Sequence, residues 1–151
     1  MIKFKLYLTK DFIKMTKNDI ESIDTINAAT CLLLSVSQAD DHIDISETEI
    51  IKDIINDFFN LKNLNINEII EKNINIVKKS TDIYEFGKIL NEKFSYQDKL
   101  DFIYCAFEVA FIDNDSHYLE EHTIKKIAYI LNVENKDLIK SKQEMKKIFK
   151  L

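Results

Sequence analysis

The chain has 151 residues, 46% hydrophobic and 31% charged, which is the balance of a folded globular domain rather than a disordered one. Its net charge is −5, and every basic side chain is lysine, so there is no basic stripe for nucleic acid and no arginine fork for bidentate phosphate recognition. With no proline and one glycine, Gly87, tight hairpins are hard to build, and the composition predicts an all-α fold of one domain.

In chain order, residues 1–17 form a leader, "MIKFKLYLTKDFIKMTK", in which a helix is expected near 3–14, packed on the bundle. It has no continuous apolar core and no cleavage site, so it does not read as a signal peptide. No stretch approaches the ~20 apolar residues that span a bilayer, and a cytoplasmic location is expected. The domain proper is expected over 18–151, with helices at about 18–39, 47–61, 66–79, 82–93, 96–112, 119–131 and 135–149, seven in all or eight with the leader. "IIKDIINDFF" (50–59) carries apolar pairs at 50/51, 54/55 and 58/59, one broad helix face. Ser46 and Glu49 ahead of it fit a capping box, and Ser95 with Asp98 fits a looser one. The helices holding "AATCLLLSV" and "FIYCAFEVAF" are apolar almost all round and should be central. Cys31 and Cys105 lie in these runs and are expected to be buried free thiols.

An internal repeat organises the rest. "LLLSVSQADDHIDISETEIIKDII" lies over "CAFEVAFIDNDSHYLEEHTIKKIA" with Asp40 on Asp113: an apolar helix runs into an acidic loop, and an amphipathic helix follows. Asp40 and Glu47 are seven apart, as are Asp113 and Glu120, and the two units are about 73 residues apart. The expectation is a duplicated, pseudo-symmetric helical bundle with two acidic helix–helix loops.

On these residues the chain resembles the TerB-like family, the helical domain named for tellurite-resistance proteins and similar to the N-terminal domain of a membrane-anchored J-domain co-chaperone. The family pattern of A-D-G, an aliphatic residue, a polar residue and then Glu appears as "ADDHIDISE" and "IDNDSHYLE". "DIYEFGKILNEKFSYQDKLDFIYCAFEVAF" and "EEHTIKKIAYILNV" are similar to the small, stand-alone bacterial branch, and the resemblance covers roughly residues 20–145. It implies an all-helical fold, a role in stress or tellurite-type resistance, and acidic residues that hold a divalent metal: Asp40, Asp44 and Glu47 in the first loop, Asp113 and Glu120 in the second. The chain departs from the pattern at Asp41 and Asn114, where the family has glycine, at Ser116, where it has an aliphatic residue, and at His117, which stands where the first loop has Asp44.

The residues themselves admit two readings. Asp41 and Asn114 suit a left-handed residue just past a helix end, which Gly, Asn and Asp tolerate best. Asp40 and Asp113 sit at helix C-termini, where an acid is disfavoured by roughly 0.3–1 kcal/mol unless a cation or loop N–H groups compensate. Glu47 and Glu120 are at home near a helix N-terminus without any metal. The first loop fits a cation site and a structural turn equally, and the second is better read as a turn. Oxygen ligands would select Ca²⁺ or Mg²⁺; participation of His42, His117 or His122 would shift the choice to Zn²⁺ or Ni²⁺. The chain carries no phosphate-binding glycine loop, nucleophile elbow or H-E-x-x-H, and its carboxylates read as solvated, so no enzymatic activity is expected. The alternative function is an interaction adaptor whose acidic loops are only structural. An unidentified protein partner is expected, and the lysines of residues 3–17 would suit weak attraction to an anionic membrane surface.

Overall fold

The computed structural model describes residues 23–40, 43–59, 61, 64–79, 82–112 and 118–151, with Asp40 described by its backbone. The described residues form seven α-helices: α1 (Ile23–Ser37), α2 (Ile45–Phe58), α3 (Ile66–Lys79), α4 (Tyr84–Lys93), α5 (Tyr96–Phe111), α6 (Tyr118–Ile130) and α7 (Asn135–Phe149). A short 3-10 turn, Gln38–Asp40, extends α1. There is no strand among the described residues, and no helix in them is long and apolar enough to cross a membrane. The all-α expectation holds. The leader helix expected near 3–14 lies outside the described residues.

Two helices occupy the centre. α1 touches α2, α3, α4, α5 and α6; α5 touches α1, α2, α6 and α7. Both are apolar nearly all round, as the sequence predicts: Ala28, Ala29, Cys31, Leu32, Leu33, Leu34 and Val36 of α1 are buried, as are Phe102, Ile103, Cys105, Ala106, Phe107, Val109, Ala110 and Phe111 of α5. A helix of this kind is stable only when other helices cover every side of it. The polar side chains inside α1 are satisfied locally: Thr30 Oγ1 donates to the Ile26 carbonyl and Ser35 Oγ to the Cys31 carbonyl, both at 2.8 Å.

The repeat is visible in the architecture. α5 begins 73 residues after α1 (Tyr96 against Ile23), and α6 begins 73 residues after α2 (Tyr118 against Ile45). The contacts follow the same rule. α1 packs on α2 and α3 as α5 packs on α6 and α7, and the cross-contact of α1 with α6 mirrors that of α5 with α2. α4 connects the halves and lies on α1 and α6.

Helix starts follow local chemistry, with one correction. Ser95 and Asp98 form the expected reciprocal box, Asp98 N–H to Ser95 Oγ and Ser95 N–H to Asp98 Oδ2, each 3.1 Å. Ser46 and Glu49 do not form one. α2 starts earlier, with Asp44 as N-cap, so Ser46 is already inside the first turn and Glu49 faces Lys52 Nζ at 3.1 Å. The expected cap lies two residues late because Asp44 and Glu47 have the same spacing as Ser46 and Glu49. α6 ends where Asn132 takes a left-handed conformation (φ 59°), with Val133 N–H reaching the Ala128 carbonyl at 2.9 Å, which satisfies carbonyls of the last turn.

Two internal features were not foreseen. Asn73 of α3 is fully buried and ties α3 to α1: its Nδ2 donates to Asn27 Oδ1 (3.0 Å) and to the Ile69 carbonyl (2.8 Å), and Cys31 Sγ donates to its Oδ1 at 3.2 Å. Burial, only partly offset by nearby Lys72, pushes the Cys31 thiol up to about 11, and burial with the charges of Glu108, Asp101 and Asp57 holds Cys105 well above the usual thiol range. The second feature is Gly87. Its backbone is ordinary helix, but a Cβ there would overlap the Ile130 side chain, so the missing side chain is what lets α4 sit close on α6.

Gly87→Ala is expected to lower stability by roughly 1–2 kcal/mol, overpacking outweighing the helix propensity gained. In an Ile130→Ala background the same change should be neutral or stabilising, and a double-mutant cycle read by thermal denaturation checks this. At pH 8 about one Cys31 side chain in a thousand is thiolate, so 5,5′-dithiobis(2-nitrobenzoate) should label neither cysteine in the folded chain and both after unfolding. Because the folded state raises these pKa values, it holds its thiol protons where the unfolded chain releases them. The cysteine contribution to stability is therefore complete below the unfolded value of 9.0 and declines as pH rises towards about 11, which melting temperatures across that range will show.

Candidate functional site

The first acidic turn begins where α1 passes into its 3-10 extension, and Asp40 is the last residue of that extension. Ile43, the aliphatic position of the pattern, is half-buried and packs on the core, which fixes the turn against the bundle. Asp44 follows as N-cap of α2. Its carbonyl accepts both the N–H and the hydroxyl of Thr48 at 3.0 Å, but its carboxylate makes no cap hydrogen bond. An N-cap Asp ordinarily turns inward onto the first N–H groups; Asp44 does not.

Glu47, one turn into α2, is 2% exposed, and Glu120, at the equivalent place in α6, is also 2% exposed. Both sit in the first turn of their helices, where the positive end of the helix dipole favours an acid. The sequence reading took these carboxylates as solvated, and the structure corrects it for both. Burial follows from the packing of α2 and α6 against the two central helices, which brings the third residue of each helix to the inner face. The 3-10 turn ending at Asp40 packs on α6, so the first turn and the helix carrying Glu120 are neighbours.

The second turn is only partly visible. Asp113 and His117 lie outside the described residues, as do Asp41, His42, Asn114 and Ser116. Of the five residues that the resemblance pointed to, the structure thus describes the side chains of Asp44, Glu47 and Glu120. Among the described residues no three His, Cys, Asp or Glu side chains come together as a metal site. The donors in view are carboxylate oxygens, which fit a hard divalent cation. His122 lies in an open depression of about 420 Å³ between α4 and α6, exposed and in the company of Lys125 and Lys126.

Three acids that the sequence reading passed over are near Cys105. Asp101 and Glu108 of α5 are 3% and 2% exposed, inside a helix read as apolar, and with Asp57 of α2 they lie close enough to the thiol to raise its pKa. Their spacing of seven, two turns on one face, was the available signal. Asp101 accepts from Gln97 Nε2 at 3.0 Å. It also lines a cleft of about 610 Å³ between α5 and α7, to which α7 contributes Asp137, Lys140, Glu144 and Lys147. At the head of this cleft Tyr96 joins the two helices, its hydroxyl donating to Asp137 Oδ2 at 2.6 Å and accepting from the Glu134 N–H at 3.1 Å. Among the described residues, none of Asp44, Glu47 and Glu120 lines either depression.

Comparison with curated proteins and with solved structures finds no match. The family model described as tellurite resistance protein TerB matches residues 27–143, which takes in α1 to most of α7 and both acidic turns. The match spans well over half of the sequence, and the chain belongs to the TerB family.

Proposed function

We propose that this chain is a small non-enzymatic module of the cytoplasm, associated with stress or tellurite-type resistance, whose acidic turns take up a divalent cation. The observation that supports this reading is the repeated placement of Glu47 and Glu120, two carboxylates buried at equivalent positions where the acidic turns enter α2 and α6. A buried carboxylate is retained only with charge or hydrogen-bond compensation. Asp44, its carboxylate not engaged in capping, stands one turn before Glu47 and would complete an oxygen donor set with Asp40. In the second turn Asp113, His117 and Glu120 would be the corresponding groups. A bound Ca²⁺ or Mg²⁺ would neutralise the turn and tie the end of α1 to the start of α2. The dipole of α2 already compensates part of the acidic charge, so the affinity should be modest and the effect structural rather than catalytic.

A second reading, an adaptor whose acidic turns are only structural, is favoured by a different feature. Ile45 and Tyr118, the first residues of α2 and α6, are 79% and 76% exposed, so each acidic turn carries a large apolar side chain held out to solvent.

Thermal melts of EDTA-treated protein with millimolar Ca²⁺, Mg²⁺, Mn²⁺, Ni²⁺ and Zn²⁺ distinguish the two. A cation bound only by the folded state at ~100 times its Kd adds about 2.7 kcal/mol, several degrees of melting temperature. The expected outcome is a rise with Ca²⁺ or Mg²⁺ that Asp40→Asn/Glu47→Gln abolishes. A rise confined to Zn²⁺ or Ni²⁺ would replace the oxygen site by one built on histidine. Melting curves that no metal moves would sink the cation reading and leave the adaptor.

A further inference from the structure

The duplication supplies its own reference for an outer helix face in this fold. Counted from the first residue of each helix, Ile45, Glu49, Lys52 and Asn56 of α2 correspond to Tyr118, His122, Lys125 and Tyr129 of α6. Steps of four, three and four residues keep each set on one side of its helix. The buried Ile51, Ile54 and Ile55 of α2, and Ile124, Ile127 and Ala128 of α6, lie on the other. The α2 face is an ordinary solvated one: Lys52 Nζ meets Glu49 of its own helix at 3.1 Å, and the next residue, Asp53, is acidic. On α6 both acids are gone, with His122 in place of Glu49 and Lys126 in place of Asp53, and Tyr129 replaces Asn56. Lys125 and Lys126 make no ion pair among the described residues, and Glu121 of the same helix reaches instead to Lys142 of α7. Tyr129 and Tyr118 are 84% and 76% exposed; with Ile45 they stand well above every other large apolar side chain described.

α4 extends this face. The open depression of about 420 Å³ that holds His122 has half-buried Ile83 and Ile130 in its lining, with Tyr84, 54% exposed, on the α4 side and Tyr129 on the α6 side. Asp82 is the one acid of that lining, and its Oδ1 accepts the Tyr84 N–H at 2.9 Å. Tyrosines give large contact area at little entropic cost, and lysines with no ion pair of their own favour an anion. The depression is too open for a small molecule, whose sites bury ~70–90% of the ligand. A nucleic acid would bring a continuous row of phosphates against a chain of net charge −5. A polypeptide segment with a few carboxylates around an apolar side chain matches both elements.

We infer that this face of α6, with Tyr84 of α4, is a docking surface for an acidic segment of a partner protein. An aromatic or aliphatic side chain of the segment seats between Tyr84 and Tyr129, and flanking Asp or Glu side chains pair with Lys125 and Lys126. The face runs ~16 Å from Tyr118 to Tyr129, the reach of about five residues of extended chain. The inference rests on the adaptor reading, whose partner it specifies, and is independent of the cation reading, since the acidic turns contribute no carboxylate to this surface.

Nitrogen-15 NMR of the full-length chain in EDTA, titrated with a short synthetic peptide that alternates Glu or Asp with Phe or Leu, tests it. The amides of α6 and of the start of α4 should shift most, and affinity should fall as salt is raised. Lys125→Glu/Lys126→Glu and Tyr129→Ser should each weaken binding by about tenfold. Lys52→Glu, the corresponding change on α2, should leave it within about twofold. All of these positions are exposed or half-buried, so melting temperatures should barely move. The proposal is overturned by equal shifts with the Gln/Asn version of the peptide, by affinity indifferent to the α6 variants, or by no shift at millimolar peptide. Shifts centred on Ile45 would overturn it and leave the adaptor reading standing. Tighter binding at α6 of oligodeoxythymidylate or of phosphatidylserine vesicles would replace the partner protein by nucleic acid or membrane. Shifts of the same amides on concentrating the chain without peptide would replace it by a second copy.

Discussion

The contact between α1 and α5 is the constraint from which the rest of the molecule follows. Each is buried on almost every side, so neither can exist as a surface helix, and each must be wrapped by others. The two lie against one another in the middle, and each recruits the two helices that follow it: α2 and α3 for α1, α6 and α7 for α5. Because the sequence repeats with the same period as the architecture, one local rule, an apolar helix and then an acidic turn and an amphipathic helix, generates both halves. The pseudo-symmetry is a consequence of using that rule twice around a shared core.

Within so apolar a centre the polar exceptions carry the specificity. Asn73 offers its amide to Asn27 and Ile69 and its oxygen to Cys31, so the α1–α3 seam has one satisfied arrangement rather than several that slide. Thr30 and Ser35 resolve their hydroxyls on the carbonyls one turn back and add nothing polar to the interface. The aromatic group formed by Phe58, Phe94 and Phe102, with centroids 5.5 to 6.1 Å apart, does the corresponding work in apolar form, joining the end of α2 to the passage from α4 into α5. Buried glutamates at the start of α2 and α6 belong to the same class of exception. Each sits where a helix dipole offsets part of its charge, which is why a carboxylate is tolerated at a core-facing position at all.

Most of the fold was legible because it rests on periodicity and composition. Helix existence, the central pair, the duplication and its period could all be read from apolar spacing, and the Ser95–Asp98 box from a short motif. What escaped depended on three-dimensional neighbours. The local pattern pointed to Ser46 as the cap, whereas the helix starts after Asp44, beside Ile43 where the chain meets the core. Glu47 and Glu120 read as exposed because charged residues usually are; only the packing of α2 and α6 turns them inward. Gly87 was read only as the one glycine of the chain, and its reason lies 43 residues away in Ile130. The left-handed residue argued for the acidic turns falls on Asp41 and Asn114, outside the described residues, while the one at Asn132, at the end of α6, was not anticipated. For the candidate site the family pattern pointed to the two turns, while the side-chain environment that distinguishes a buried glutamate from a solvated one was beyond the sequence.

The halves are alike in backbone plan but not in chemistry, and the differences are concentrated at corresponding positions. Ile130 faces Gly87 where its counterpart is Asp57; Leu32 is an aliphatic core residue where its counterpart is Cys105 among acids. A duplicated core that remained identical would be free to exchange its halves, since any helix fitting one slot would fit the other. The unlike residues at these corresponding positions remove that ambiguity, since a helix that fits the notch of Gly87 against Ile130 does not fit where Asp57 stands. The two halves agree instead at Glu47 and Glu120, where each keeps a buried carboxylate in the first turn of its helix.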